Sequence, residues 1–203
     1  MKEQMRYKVN EWFESVYGEY PFQGIWMLFI RFAVCNWNCP FCDQSKEVEE
    51  EWGVDELLAK VEDSKAEWVC LTGGEPLLQV DSDLIEEIVK LGKKVVVETN
   101  GTLPFPVGSR KLLGDRVFIS CSPKVYPVKL GVDLSLVNLK FLVGDGREFW
   151  SYWLKEREYG VAGLQPVWGK SYQENVRKAL DLVKEYPDRF RLSIQVHKYI
   201  GVK

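Results

Sequence analysis

Three cysteines fall within one short stretch, Cys35-Asn36-Trp37-Asn38-Cys39-Pro40-Phe41-Cys42, and Asp43 follows at once. A C-x3-C-x2-C run puts three thiolates on a single loop, where they can converge on one centre. Zinc sites more often combine a C-x2-C clip with a second pair elsewhere, and ferredoxin-type clusters take a fourth cysteine. Three thiolates suit a cubane of four irons and four sulfurs with one iron left open to a small molecule. Such a site is a catalyst and not an electron wire. The alternative is a structural zinc or iron–sulfur module with Cys70, Cys121 or His197 as fourth ligand.

The residues around this loop describe one α/β domain spanning 1–203. Ile25 to Phe32 is a nearly continuous apolar run and reads as a buried first strand ending near Arg31. Further strands are expected at Trp68–Leu71, Lys94–Glu98, Arg116–Cys121, Leu136–Val143 (carrying Lys140), Ala162–Val167 and Phe190–Val196. Helical spacing predicts helices over Val54–Glu62, Ser82–Lys90, Glu148–Glu158 and Tyr172–Glu185, the last with Val176, Ala179, Leu180 and Val183 inward. Only Pro- and Gly-rich linkers follow the third and fourth strands. The expected fold is therefore a partial parallel (β/α) barrel of about six strands with reduced helices. Residues 1–24 are punctuated by Gly18, Pro21 and Gly24 and read as an irregular N-terminal loop, residues 25–196 as the barrel, and 197–203 as a tail. The acidic run Glu47–Glu51 reads as a solvated approach to the first helix.

Composition narrows the function. A formal charge of −3 argues against nucleic acid as the main partner, because phosphate binding wants a basic surface. No apolar run reaches the ~18 residues of a membrane span, and Met1–Val9 is polar without a signal-peptide core. Five cysteines, three of them clustered, fit a reducing cytoplasm better than a disulfide framework. One histidine rules out His-rich metal chemistry. Cys70 and Cys121, among apolar neighbours, read as small buried hydrophobes. Trp150 and Trp153 on one helix face mark an expected homodimer surface.

Almost every unusual residue falls just after a strand, where parallel α/β folds build their sites. Thr72-Gly73-Gly74-Glu75-Pro76 follows the second strand. Its glycines let backbone approach a ligand, and its carboxylate can accept from an ammonium group. Asn100, Ser122-Pro123-Lys124 and Gln165-Pro166 end later strands.

The cysteine loop, followed one strand and one helix later by Gly-Gly-Glu-Pro, resembles the radical S-adenosylmethionine (SAM) enzymes. That resemblance implies a 4Fe-4S cluster on Cys35, Cys39 and Cys42, and SAM bound near Phe41, Asp43, Gly73, Gly74, Glu75, Asn100, Ser122, Pro123, Lys124, Gln165 and Pro166. Reductive cleavage of SAM would give a 5′-deoxyadenosyl radical that takes a hydrogen atom from the substrate.

Over the whole chain, the block Val9-Asn10-Glu11-Trp12-Phe13 to Gly18-Glu19 is similar to the 7-carboxy-7-deazaguanine synthase family. So are Phe29-Ile30-Arg31, Thr72 to Gln79, Glu98 to Thr102, Ser122-Pro123-Lys124, Lys140-Phe141, Gln165-Pro166 and His197-Lys198. The family converts 6-carboxy-5,6,7,8-tetrahydropterin to 7-carboxy-7-deazaguanine, a magnesium-dependent ring contraction on the way to queuosine or archaeosine. The resemblance implies a pterin held by Val16, Tyr17, Gly18 and Glu19. Arg31 would take the substrate carboxylate and Thr72 would add a hydroxyl, while His197 and the Lys203 carboxylate close the site. It also implies magnesium at Gln44 and an electron donor such as flavodoxin or ferredoxin. Two positions depart from the family pattern. Tyr17-Gly18-Glu19-Tyr20 stands where Gln-Gly-Glu-Gly is usual, and Gln44 stands where a Thr or Ser hydroxyl usually ligates magnesium, with Ser45 beside it. The rival within enzymes is a glycyl-radical-enzyme activase.

Overall fold

The computed structural model describes residues 6–42, 44–45, 47–155 and 160–203. Nine strands form one open mixed sheet in the order β3-β1-β2-β4-β5-β6-β7-β8-β9. The parallel part comprises β2 (Trp26–Phe32), β4 (Trp68–Gly73), β5 (Lys94–Thr99), β6 (Val117–Cys121), β7 (Val137–Val143), β8 (Ala162–Pro166) and β9 (Phe190–Leu192). This is the expected α/β partial barrel, with seven parallel strands in place of about six.

The N-terminal segment differs from expectation. Residues Tyr7–Val16 are not a loop but the ten-residue strand β1, antiparallel to β2. The acidic run contributes β3 (Glu50–Trp52) on the outer side of β1, so it is an edge strand and not only a solvated face. Cross-strand pairing with a buried neighbour stabilises β1 despite its charged residues, a tertiary effect that local punctuation cannot report.

Helices α1 (Val54–Asp63), α2 (Ser82–Lys90) and α4 (Tyr172–Glu185) occur where periodicity puts them. The Glu56 carboxylate accepts from Gly53 N–H at 2.7 Å to start α1, and Asp81 accepts from Leu84 N–H at 2.9 Å to start α2. In α4 the buried side is Tyr172, Ala179 and Leu182, whereas Leu180 is 47% exposed, contrary to its expected inward position. Only 3-10 turns (Gly108–Leu112 and Leu134–Leu136) follow β5 and β6, as the linkers imply. Helix α3 is one turn, Trp150–Trp153, and residues 156–158 of the expected helix lie outside the described residues. Trp153 is 2% exposed and packs on Phe141 of β7, so it is core and not part of a dimer surface. Strand β9 stops at Leu192, short of the expected Val196, and Val196–Ile200 forms helix α5. No helix among the described residues is long and apolar enough to cross a membrane.

The two faces of the sheet differ. Leu28, Ile30, Leu71, Val95, Val97, Ile119, Leu139 and Leu164 pack with the helices in one continuous apolar core. Their alternating neighbours point to the other, inner face. There Met27, Phe29, Cys70 and Val96 form a smaller apolar floor with Tyr17 and Phe22, and Phe118 packs against it. One position further along most of these strands, the inner face turns polar.

Candidate active site

That change of character builds the site. Each central strand turns a polar residue to the inner face near its C-terminal end: Arg31 on β2, Thr72 on β4, Glu98 on β5, Ser120 on β6, Lys140 on β7 and Gln165 on β8. Period-two alternation and parallel register bring them into a belt across the inner face. The belt is linked side chain to side chain. Thr72 Oγ1 donates to Glu98 Oε2 at 2.8 Å, Tyr17 OH donates to Glu98 Oε1, and Lys140 Nζ reaches Glu98 at 3.4 Å and contacts Glu19. Glu19 Oε1 also accepts from Gln165 Nε2 at 3.0 Å and Gln195 Nε2 at 2.8 Å. Burial alone would raise the Glu19 carboxyl, but the Lys140 ammonium more than offsets it and brings it down to about 2. Burial alone would lower the Lys140 ammonium, and Glu19 and Glu98 together push it above the usual lysine range. Burial and the Glu98 charge push the Tyr17 phenol well up.

Above the belt, towards the strand C-termini, lies a cavity of about 280 Å³ lined by Cys35, Cys39 and Cys42 on one side. Cys42 is exposed, Cys35 and Cys39 are partly so, and all five cysteines are thiols. The loop is braced from two sides, by the turn after β4 and the turn after β5. Gly74 N–H donates to Phe32 O at 2.7 Å and Glu75 N–H to Val34 O at 2.8 Å. A Cβ on Gly74 would fall 2.2 Å from Val34 O and 2.9 Å from Cys35 Cβ, so this turn lies directly against the base of the cysteine loop and needs glycine. Asn100 Nδ2 donates to Asn36 Oδ1 at 2.9 Å, and Asn36 Nδ2 donates to Thr102 Oγ1 at 2.8 Å.

The expected cofactor residues divide. Phe41, Gly73, Gly74, Asn100, Ser122, Lys124, Gln165 and Pro166 line this cavity. Pro123 is buried and outside the wall, and Asp43 lies outside the described residues. Glu75 is placed differently from the expectation that it accepts from an ammonium group. It is 0% exposed, with its oxygens accepting from Thr99 Oγ1 (2.8 Å), Asn100 N–H (2.7 Å) and Leu77 N–H (3.1 Å). Its acceptor sites are turned inward because they cap the 3-10 turn Pro76–Leu78 and tie the β4 loop to the β5 loop. Burial raises its carboxyl against these bonds. Burial also lowers the Lys124 ammonium, which sits within electrostatic reach of Cys39.

The donor set, three thiols on one loop, is of a kind that can hold a cubane. Among the described residues no three His, Cys, Asp or Glu side chains gather to hold one metal ion. A cubane spreads its thiolates over separate irons and does not need them so close. Cys70 and Cys121, offered as fourth zinc ligands, are buried on opposite faces of the sheet, with thiols pushed up by burial. The three loop thiols, braced by glycine backbone and open to a cavity, therefore fit a cluster with one free iron.

A second cavity of about 100 Å³ adjoins the first and shares Glu19, Gln44, Thr72, Glu98 and Gln195 with it. Val16, Tyr17, Gly18, Glu19, Arg31, Thr72, His197 and Lys203 all line it. Its roof joins distant parts of the chain. Val196 N–H donates to Gly18 O at 2.9 Å, and a Cβ on Gly18 would fall 2.0 Å from His197 Nδ1. The Tyr17 ring packs into the floor on Phe29 and Phe22. Tyr20 packs against Gly163, where a Cβ would meet its ring at 2.9 Å. Arg31 lies over the Phe13 ring, 5.0 Å from its centroid, and its Nε is buried without a hydrogen-bond partner among the described residues.

Several lining residues were not singled out as site residues from sequence: Glu98, Ser120, Lys140, Gln195 and Trp168. The signal for three of them is plain in Val97-Glu98, Ile119-Ser120-Cys121 and Leu139-Lys140-Phe141, where a polar side chain interrupts an apolar run.

Comparison with known proteins places this geometry. The Radical SAM superfamily profile matches residues 29–119, from β2 through β6. The crystal structure of QueE from Escherichia coli has the same fold, with a TM-score of 0.71 over 94% of each chain at 24% identity. Fold and cysteine loop thus define a radical SAM enzyme, a class that works with a 4Fe-4S cluster and SAM. The 7-carboxy-7-deazaguanine synthase of Bacteroides thetaiotaomicron is 37% identical over 98% of this chain and 100% of its own. That of Thermoplasma acidophilum is 32% identical over 95% and 96%. The chain belongs to the 7-carboxy-7-deazaguanine synthase family.

Proposed function

We propose that this enzyme converts 6-carboxy-5,6,7,8-tetrahydropterin to 7-carboxy-7-deazaguanine and ammonia, a redox-neutral ring contraction. The observation that carries the reading is the second cavity: residues from β1, β2, β4, α5 and the last turn of chain meet there, next to the cysteine-lined cavity. Arg31 binds the substrate carboxylate through its planar fork. Glu19 accepts ring N–H donors, and Gln165 and Gln195, which now donate to it, are the neutral partners a ligand would displace. Lys140 keeps that carboxylate ionised, Thr72 offers a hydroxyl, and the Gly18–His197 roof excludes water.

The larger cavity would hold the cluster on Cys35, Cys39 and Cys42, with SAM along Gly73, Gly74, Ser122, Lys124 and Pro166. When bound and reduced, the pair supplies a carbon-centred radical for hydrogen-atom abstraction. Gln44 lines both cavities, which supports it as a magnesium ligand through its amide oxygen. A flavodoxin- or ferredoxin-type protein delivers the electron.

The test is anaerobic reconstitution with iron and sulfide, then incubation with dithionite, SAM, magnesium and the carboxypterin. Carboxydeazaguanine by mass spectrometry is the expected product. Formation of 5′-deoxyadenosine alone would keep the radical chemistry and overturn the substrate.

A further inference from the structure

Arg31 has a partner that the proposed reaction does not use. Strand β1 pairs with β2 through a register shift between Val9 and Glu11. Before the shift, Tyr7 and Val9 are buried in the helix-side core. After it, Trp12 takes that side, against Trp52 and Lys60, while Glu11 and Phe13 stand opposite Arg31 and Phe29 on the inner face. Without the shift, alternation from Tyr7 and Val9 would turn Glu11 towards the helices.

On the inner face, Glu11 Oε1 pairs with Arg31 Nη1, and Glu11 Oε2 accepts from Lys203 Nζ at 2.6 Å. Both cations lie over the Phe13 ring, at 5.0 and 5.2 Å. Glu11 itself does not line the small cavity, whereas Arg31, Phe13 and Lys203 do. The Nη1 corner of the fork is thus occupied, and the Nε–H on its other edge is buried without a partner among the described residues. An unpaired buried donor beside a cavity is set to receive an acceptor.

We infer that Glu11 is a positioning residue for substrate selection: by fixing Nη1 it presents the Nε edge of Arg31 to a ligand carboxylate. This rests on the carboxypterin reading above. Glu11 touches no substrate; it sets the direction of a fork whose bidentate match depends on angle.

The test uses the reconstituted protein under anaerobic equilibrium dialysis with two ligands, 6-carboxytetrahydropterin and tetrahydropterin lacking the carboxylate. Glu11→Gln is expected to weaken the carboxylated ligand about tenfold and leave the other within about twofold. KM rises by a similar factor with kcat nearly unchanged, the mark of lost binding common to ground and transition states. Glu11→Asp restores part of the preference. In an Arg31→Lys background, which lacks the fork, Glu11→Gln has no further effect, and this cycle decides the matter if the single variant is poorly folded. Equal weakening of both ligands, or none of either, overturns the inference. A wild-type protein with no preference for the carboxylated ligand overturns the substrate reading and this inference with it. A wild-type preference that Glu11→Gln retains overturns this inference alone.

Discussion

The two faces of one sheet obey different rules. On the helix side, Ile30, Leu71, Val97, Ile119 and Leu139 are all fully or almost fully buried among apolar neighbours, and nothing there needs a specific partner. On the inner side Lys140 and Gln165 are buried and Glu19 and Glu98 partly so, and each relies on a named donor or acceptor. The first face owes its stability to area removed from water, which tolerates substitution of similar volume. The second owes its order to satisfied charges in low dielectric, where losing one partner strands another. Strands make both possible at once, because successive side chains point opposite ways.

The sharpest way to separate the faces is chemical. Replacing Cys35 with Ala should reduce 5′-deoxyadenosine formation to background while the melting temperature of the metal-free protein stays within about 1 °C, since that half-exposed thiol contributes little packing. Thermal denaturation beside an anaerobic turnover assay reads both. Next comes Lys140→Met, which leaves the partly buried Glu19 and Glu98 together without their cation. A loss of about 3–5 kcal/mol in urea unfolding is expected, and a loss below about 1 kcal/mol would mean that the belt is not charge-balanced as described. On the opposite face, Leu71→Ala should cost about 2–5 kcal/mol through its cavity and leave ligand affinity intact at a temperature where the variant is folded. The smallest effect is acid dependence. The folded Glu19 carboxyl lies near 2 against an ordinary 4.5, so its contribution is fully present above about pH 4.5 and fades as pH falls towards 2. A urea-midpoint series over that range should show this slope in wild type and lose part of it in Glu19→Gln.

Much of this arrangement can be read from sequence. Apolar runs located the parallel strands, and the motifs after them located the cavity wall, because side chains near strand C-termini have little freedom over where they go. The belt was equally available in Ile30-Arg31-Phe32 or Leu164-Gln165-Pro166, though only if each strand is read for a polar interruption. Strand β1 was hidden because its register shift breaks the alternation of Tyr7 to Ser15, so neither face reads as continuous. The inward turn of Glu75 was hidden for another reason: its partners Thr99 and Asn100 belong to the next strand end, and no local pattern names them. Gln195 was obscured by an expected strand that is in fact the approach to a short helix.

The contact between Gly18 and His197 has a consequence for biosynthesis. Cys35 to Cys42, Gly73 and Asn100 are all synthesised well before residue 197, on or just after strands adjacent in the sheet. The small cavity acquires its roof only after residue 197 has been made and has folded back over a turn synthesised long before it. Nascent chains can therefore brace the cysteine loop against the turns after β4 and β5 while the small cavity is still missing a wall.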